Sequence, residues 1–460
     1  MRILLLVSSM NAGGAERVAA SLVNAWVADG HDVCLMPTYS RGTGQSFYPL
    51  DPGVRQIWVS RHLSGPGMFR TLAKPLILRR LIQEEAPDVI VSFLTNVNVM
   101  VLAATKGLEI PVIVCERTNP AASKNISNVL ARARRLLYPQ ANAVMLQTQQ
   151  AAEVFARVVP GLQHVAVIPN PLPPALESAA RAVDDTGRVS YVSEANRTTT
   201  DTKANVDVAT QSVAATESGA VPQRGATTEG ASQPAVAPDG TPQVGATPAR
   251  TPQSGTTPAA GAQAQTEARK QLCAMGRFVA TKRFEMLIDV FGRLAPDVPD
   301  WDLTIWGEGP LHSLLQDKVR KLGLQERIHL PGKTDQPWEA ISRADAFVMT
   351  SEVEGFPNVL LESMALGLPC VTMDCPSGPA ELSRDGRDAI LVGLSDVEGL
   401  QEALYQIMTD EILRRELGHR ATISVRDRYS LAAVLEQWQF LFDAVLGRSR
   451  IKPEAPTRQP

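Results

Sequence analysis

Nowhere in this 460-residue chain does an apolar run approach the roughly 18 residues needed to cross a bilayer as a helix, which excludes a helical membrane span. The opening apolar run stops at Ser8, shorter than the roughly 7–15-residue core of a secretory signal, so the expected location is the cytoplasm. Cysteine is scarce, and Cys34, Cys115, Cys273, Cys370 and Cys375 form no CxxC pair. That spacing argues against zinc ribbons and dithiol redox sites and predicts buried free thiols. Aromatic residues make up 5% of the chain and are not interleaved with the basic ones, so nucleic acid is not an expected partner.

Between Leu176 and Leu272 there is no Leu, Ile, Met, Phe, Trp or Cys, and Tyr191 is the only aromatic residue. Burial in such a stretch cannot offset the entropy of ordering it. Residues 177–270 are therefore expected to be a disordered insertion rich in Ala, Thr, Pro, Gly and Gln, separating domains over 1–176 and 271–429. A crossover helix over 430–447 and a loose tail over 448–460 follow.

On either side of the insertion, short apolar runs alternate with helical patterns. They fall at 2–7, 32–36, 88–93, 111–115, 143–147 and 165–168, and again at 272–275, 303–306, 328–330, 346–350, 370–373 and 389–392. Strands separated by helices imply parallel sheets, hence two doubly wound α/β domains. Ligands of such sheets collect beyond the carboxyl ends of the strands. Over residues 1–172 there are 16 Lys and Arg against 10 Asp and Glu, in a chain whose net charge is −3. A basic first half suits a phosphate-bearing partner or an anionic membrane surface.

Gly13 and Gly14 follow the first strand, where a helix beginning near Ala15 can turn free amides toward an anion. Glu16 in its first turn is explained by the helix dipole alone. Arg277 and Lys282 follow the strand that opens the second half; guanidinium and ammonium groups there suit phosphate oxygens, although surface ion pairs explain two cations equally well. The turn Trp306-Gly-Glu-Gly-Pro310 reads as structural. Glu354 lies in the loop before a helix expected over 357–366, and Glu362 lies within that helix among Val359, Leu360, Leu361 and Met364. Two carboxylates and the free amides of Gly355, Phe356, Pro357 and Asn358 (proline contributing no N–H) can surround one polar ligand. A carboxylate in an apolar helix requires partners.

Two glutamates separated by seven residues, Glu354 and Glu362, resemble the mark of glycosyltransferase family 4, which has the GT-B fold of two Rossmann-like domains facing a cleft. Gly13-Gly14 resembles that family's glycine turn, Arg277 and Lys282 its phosphate-binding pair, and Ile168-Pro-Asn170 the close of its first domain. The resemblance implies that Arg277 and Lys282 hold the diphosphate of a UDP-sugar donor, Glu362 the ribose, and Glu354 with the neighbouring amides the sugar. It implies retaining, metal-independent transfer with no cofactor. The segments Cys115-Glu116-Arg117-Thr-Asn119-Pro120 and Cys375-Pro-Ser377-Gly378-Pro379-Ala-Glu381 resemble members that add N-acetylgalactosamine or related sugars to undecaprenyl-diphosphate-linked glycans. Two departures stand out: Asn96 and no His in the acceptor-side loop, and Arg283 where the family often has Gly.

A lipid-linked acceptor implies peripheral membrane contact. The basic amphipathic segments 68–82, with Arg70, Lys74, Arg79 and Arg80, and 127–138, with Arg132, Arg134 and Arg135, suit either that role or ordinary half-buried helices. Architecture alone also admits a nucleotide-sugar epimerase or hydrolase, or a non-catalytic sugar-nucleotide-binding protein.

Overall fold

The computed structural model describes residues 1–39, 45–63, 67–117, 127–177, 180–183, 189–192 and 269–448, with backbone alone over 67–72, 180–183 and 189–192. The expected insertion and tail therefore lie almost wholly outside the described residues, as do Asn119, Pro120 and the side chain of Arg70.

The first domain carries seven parallel strands: β1 (Arg2–Val7), β2 (Asp32–Pro37), β3 (Arg55–Gln56), β4 (Val89–Phe93), β5 (Val112–Cys115), β6 (Ala143–Leu146) and β7 (Val165–Val167). Their order is β3-β2-β1-β4-β5-β6-β7, so the winding reverses between β1 and β4. Helices α1 (Gly14–Ala28), α2 (Gly67–Glu85), α3 (Thr95–Thr105), α4 (Asn128–Leu137) and α5 (Gln149–Val158) connect them, and α6 (Pro174–Glu177) ends this stretch. Successive residues of β1 alternate between faces. Ile3, Leu5 and Val7 meet Trp26 of α1, while Leu4 and Leu6 share a core with Leu78 of α2 and Val101 of α3.

β8 (Ala180–Val183) and β9 (Val189–Val192) pair antiparallel, Ala180 opposite Val192 and Val183 opposite Val189. This corrects the expectation of no order there: Val183, Val189, Tyr191 and Val192 favour extended backbone.

The second sheet has the order β12-β11-β10-β13-β14-β15, also parallel. Its strands are β10 (Lys270–Met275), β11 (Trp301–Trp306), β12 (Ile328–Gly332), β13 (Ala346–Met349), β14 (Cys370–Asp374) and β15 (Ile390–Gly393). The helices are α7 (Phe284–Leu294), α8 (His312–Lys321), α9 (Pro337–Ser342), α10 (Asn358–Ala365), α11 (Pro379–Ser383), α12 (Val397–Thr409), α13 (Glu411–Tyr429) and α14 (Leu431–Val445).

The chain passes between the domains twice, and the passages touch. Leu172 donates its N–H to the Tyr429 carbonyl at 2.7 Å, and the Leu431 N–H is accepted by the Glu177 carboxylate. Leu172 and Leu176 pack into the second domain's core with Phe356, Leu360 and Tyr429, so the crossing falls earlier than residue 176. In the other direction α14 returns to the first domain. Its 3.6-residue periodicity puts Val434, Trp438, Leu441 and Phe442 in the β1 core, with Trp438 edge-on to Trp26 at 5.5 Å between ring centres.

All five cysteines are buried, as their apolar contexts predict. Among the described residues no helix is long and apolar enough to cross a membrane. The basic residues of α2 and α4 divide. Lys74 is buried with its ammonium 3.1 Å from the centre of the Tyr39 ring, Arg79 donates to the Ala104 and Lys106 carbonyls, and Arg134 is buried beside Phe155. Those three are not membrane-facing charges, because each turns toward a ring or carbonyls of its own domain. Arg132 and Arg135 stay exposed, and the Arg80 side chain is exposed with Glu84 as its partner.

Trp438→Ala should cost the first domain roughly 3–5 kcal/mol through loss of a buried indole. Urea unfolding would read this as a lower midpoint; a midpoint equal to the parent's would show that α14 is no part of that core.

Candidate functional site

The loop after β10 is held by two glycines that follow β11. Gly276 donates to the Trp306 carbonyl at 2.9 Å and Phe278 to that of Glu308 at 2.8 Å. Gly307 (φ 148°) and Gly309 (φ 157°) lie so close that a Cβ on Gly307 would come within 1.9 Å of the Gly276 oxygen. Only glycine tolerates both the dihedral and the approach. The 306–310 turn is thus structural, and what it supports is the Arg277 loop. Arg277 is exposed, has no ion pair among the described residues, and borders a cavity of about 340 Å³ shared with Trp306, Lys333 and Thr334.

Lys282 ends a 3₁₀ turn, and its stem runs over Gly276, where an added Cβ would sit 3.3 Å from its Cε. Its ammonium meets Glu354 Oε1 at 2.5 Å. The Thr350 hydroxyl donates to the Lys282 carbonyl at 2.8 Å and the Glu352 N–H to that of Thr281 at 2.8 Å, so the two loops are tied through backbone carbonyls of the Lys282 turn. Arg283 takes the left-handed conformation (φ 52°, ψ 32°) that glycine adopts most easily, and its guanidinium reaches the Leu394 carbonyl at 2.7 Å. The loop therefore keeps a glycine-like turn despite its arginine.

α10 begins at Asn358, with Pro357 as its cap. Phe356 is buried 6.0 Å from the Tyr429 ring centre, so it offers a cleft ligand only its backbone. Pro357 packs on Gly378 (φ 119°), where a Cβ would lie 2.4 Å from its Cδ. Glu362 is buried, and both carboxylate oxygens are engaged, Oε1 by Arg17 of α1 and Oε2 by the Trp338 indole N–H at 2.9 Å.

The first domain reaches the same helix end. Gly13 is clamped by the Tyr48 hydroxyl, which accepts its N–H at 3.1 Å and donates to its carbonyl at 3.0 Å. A Cβ on Gly14 would lie 3.3 Å from Asn358 Nδ2. Asn358 Oδ1 accepts from Asn170 at 2.8 Å, and Asn170 Oδ1 accepts from Gln147 at 2.6 Å and from Arg117. Arg117 is buried over the Phe93 ring, 3.7 Å from its centre, and burial lowers its pKa to about 10. Elsewhere across the cleft, Ser377 N–H donates to Gln150 Oε1 at 2.6 Å, and Glu381 accepts the Gln150 N–H at the start of α5 at 3.2 Å. Asn96, in the first turn of α3, is half-buried.

The site thus gathers Lys282 with Glu354, and Gly14 with Asn358. Arg17, Trp338, Gln147 and Tyr48 were not foreseen. Arg17 stands beside Glu16 in a turn that dipole arguments already explain, and Trp338 is one aromatic residue in the short helix α9; neither has a sequence period to betray it.

Residues 13–171 match the glycosyl transferase 4-like domain, and residues 260–423 match glycosyl transferases group 1. The chain belongs to the group 1 glycosyltransferases. It is 38% identical over 173 residues to an exopolysaccharide phosphotransferase of Streptomyces coelicolor, covering 37% of this chain and 18% of that protein. It is 22% identical to a Campylobacter jejuni α-1,4-N-acetyl-D-galactosaminyltransferase named for an undecaprenol-diphosphate-linked glycan, over 95% of this chain and 97% of that one. The Campylobacter enzyme apart, the chain spans less than half the length of the first curated relatives it matches. Among solved structures, Anabaena HepE in complex with UDP superposes with a TM-score of 0.66 at 14% identity, covering 96% of this chain and all of that one. That likeness is one of fold, the GT-B arrangement.

Behind the cleft, Glu116 is buried and accepts from Thr95 at 2.9 Å and from the Tyr138 hydroxyl. Burial raises its carboxyl above the ordinary 4.5. The native state therefore holds this proton to higher pH than the unfolded chain does. The stabilisation is complete below pH 4.5 and is lost as pH rises through the folded value. Against Glu116→Gln, the parent protein's unfolding free energy should fall progressively above that pH. Parallel curves for the two proteins in urea titrations at a series of pH values would refute this.

Proposed function

We propose that the protein is a retaining hexosyltransferase. It moves N-acetylgalactosamine or a related sugar from a UDP-sugar to an undecaprenyl-diphosphate-linked glycan in polysaccharide or glycoprotein assembly. The observation that carries this reading is the Lys282–Glu354 pair, braced over Gly276 beside the exposed Arg277. A cation and a carboxylate so close can divide one donor between them, phosphate oxygens to the first and sugar hydroxyls to the second. The Campylobacter relative's name supports the sugar and the acceptor, and the UDP bound to the Anabaena neighbour supports the nucleotide.

In this reading an acceptor hydroxyl attacks the anomeric carbon on the face that the diphosphate leaves. The C1–O bond to phosphate breaks as the new glycosidic bond forms, and the hydroxyl proton passes to a phosphate oxygen. Arg277, Lys282 and the Gly355 and Phe356 amides ahead of α10 stabilise the charge growing on the departing UDP, the Asn358 N–H being taken by the Phe356 carbonyl at 2.9 Å, and no metal is assigned a part. Glu362 holds the ribose, and Gly13-Gly14 closes over the phosphates.

Peripheral attachment at the cytoplasmic face of the membrane fits the exposed Leu76, Val129 and Leu136 near Arg80, Arg132 and Arg135. Liposomes containing anionic lipid should pellet the protein at low salt and release it at high salt; a protein left in the supernatant at low salt would dismiss the membrane surface as a partner.

Arg277→Ala should lower transfer by about 100-fold or more with folding unchanged, since the side chain is exposed and unpaired among the described residues. UDP release from a panel of UDP-sugars, with and without lipid-diphosphate-linked glycans, tests the whole reading. Acceptor-independent release would indicate a hydrolase instead, and near-parental turnover by the variant would remove Arg277 from the donor site.

A further inference from the structure

Glu362 receives the ribose in the reading above, and the present inference rests on that reading. Both of its oxygens already have protein partners. Trp338 belongs to the same domain, but Arg17 reaches over from the first one. The Glu362 side chain is 3% exposed and that of Arg17 22%, so this is an ion pair well shielded from solvent rather than a surface contact. The Arg17 guanidinium also lies 5.8 Å from the centre of the Trp338 ring, which leaves it flanking the carboxylate from one side.

A ribose that binds Glu362 does so through hydroxyl hydrogens, and hydroxyls are neutral. The carboxylate has lone pairs to spare, but it is only 3% exposed with Arg17 and Trp338 over it, so a hydroxyl reaches Oε1 only as the guanidinium moves aside, while Oε2 can keep the indole. The exchange leaves a guanidinium without its anion in a partly dry cleft, which is costly unless another anion takes its place. The arriving ligand carries such an anion, the diphosphate. Arg17 stands three residues beyond Gly14, whose backbone already lies against Asn358 at the amide-bearing end of α10. A planar fork with five N–H donors then has a short path from carboxylate to phosphate.

We infer that Arg17 is a further donor-binding residue: it holds Glu362 until the ribose takes that carboxylate, and then passes to the donor diphosphate. Uridine, with ribose but no phosphate, must break the pair and receives nothing in return. UDP breaks the same pair and recovers the cation.

Calorimetric titration of the full-length chain with uridine and with UDP separates these terms. In Arg17→Gln, uridine should bind about tenfold more tightly than to the parent, because its competitor is gone, and UDP about tenfold more weakly relative to uridine, because the charge-assisted contact is gone. Arg17→Lys keeps the charge without the fork and should recover part of the preference for UDP; it also serves if the Gln variant folds poorly. Uridine affinity that is unchanged or lower in Arg17→Gln, or an unchanged UDP-to-uridine ratio, would overturn the hand-over. Adding Glu362→Gln to Arg17→Gln is the control on the underlying reading: if uridine binds the double variant as well as Arg17→Gln alone, the ribose assignment itself fails.

Discussion

One hydrogen bond, from Asn170 to Asn358 at 2.8 Å, joins the chain leaving the first domain to the first residue of the helix that carries Glu362. Everything in the cleft is referred to it. Asn170 is in turn fixed by Gln147 from the end of β6 and by Arg117 from the end of β5, and Asn358 faces Gly14 at the start of α1, the helix that follows β1. Parallel sheets put all these strand ends on one side of their domain, and the two domains turn those sides toward each other. Amide side chains suit the junction: each donates and accepts, so the link is satisfied without importing net charge between two groups of charged residues.

The charges themselves are matched across loops. Lys282 sits on Glu354 and Arg17 on Glu362. Such pairs offset the cost of burying Glu362 and half-burying Arg17, Lys282 and Glu354, and each is also a pair that a phosphate and a sugar can divide between them. Arg277 differs: it is exposed and unpaired among the described residues, held out by a loop that Gly307 and Gly309 keep in place. Preorganisation here is a matter of backbone contacts at glycines as much as of the charged groups.

Much of this was legible in the sequence wherever the signal is local. Apolar runs of strand length and the apolar stripe of α14 state their places within a few residues, and the Gly13-Gly14 turn and the Glu354–Glu362 spacing point to the cleft in the same local way. What escaped depends on partners far away along the chain. Leu172 and Leu176 read as the end of one domain but fill the core of the other. For Lys74, Arg79 and Arg134 the sequence left a membrane face and a half-buried helix equally open, and a ring or a carbonyl on a different element draws each inward. Phe356 sits inside the motif that marks the site but serves the core with Tyr429. Arg17 had no signal at all, because its partner is 345 residues away.

The buried cysteines give the two domains separate clocks. Burial pushes the thiols of Cys34 and Cys115 in the first domain, and of Cys273 and Cys375 in the second, up to about 12. At neutral pH almost none is a thiolate, so an alkylating reagent reacts only when the surrounding backbone opens. The rate at which each position is labelled then reports how often its own half of the molecule loosens, with no residue replaced.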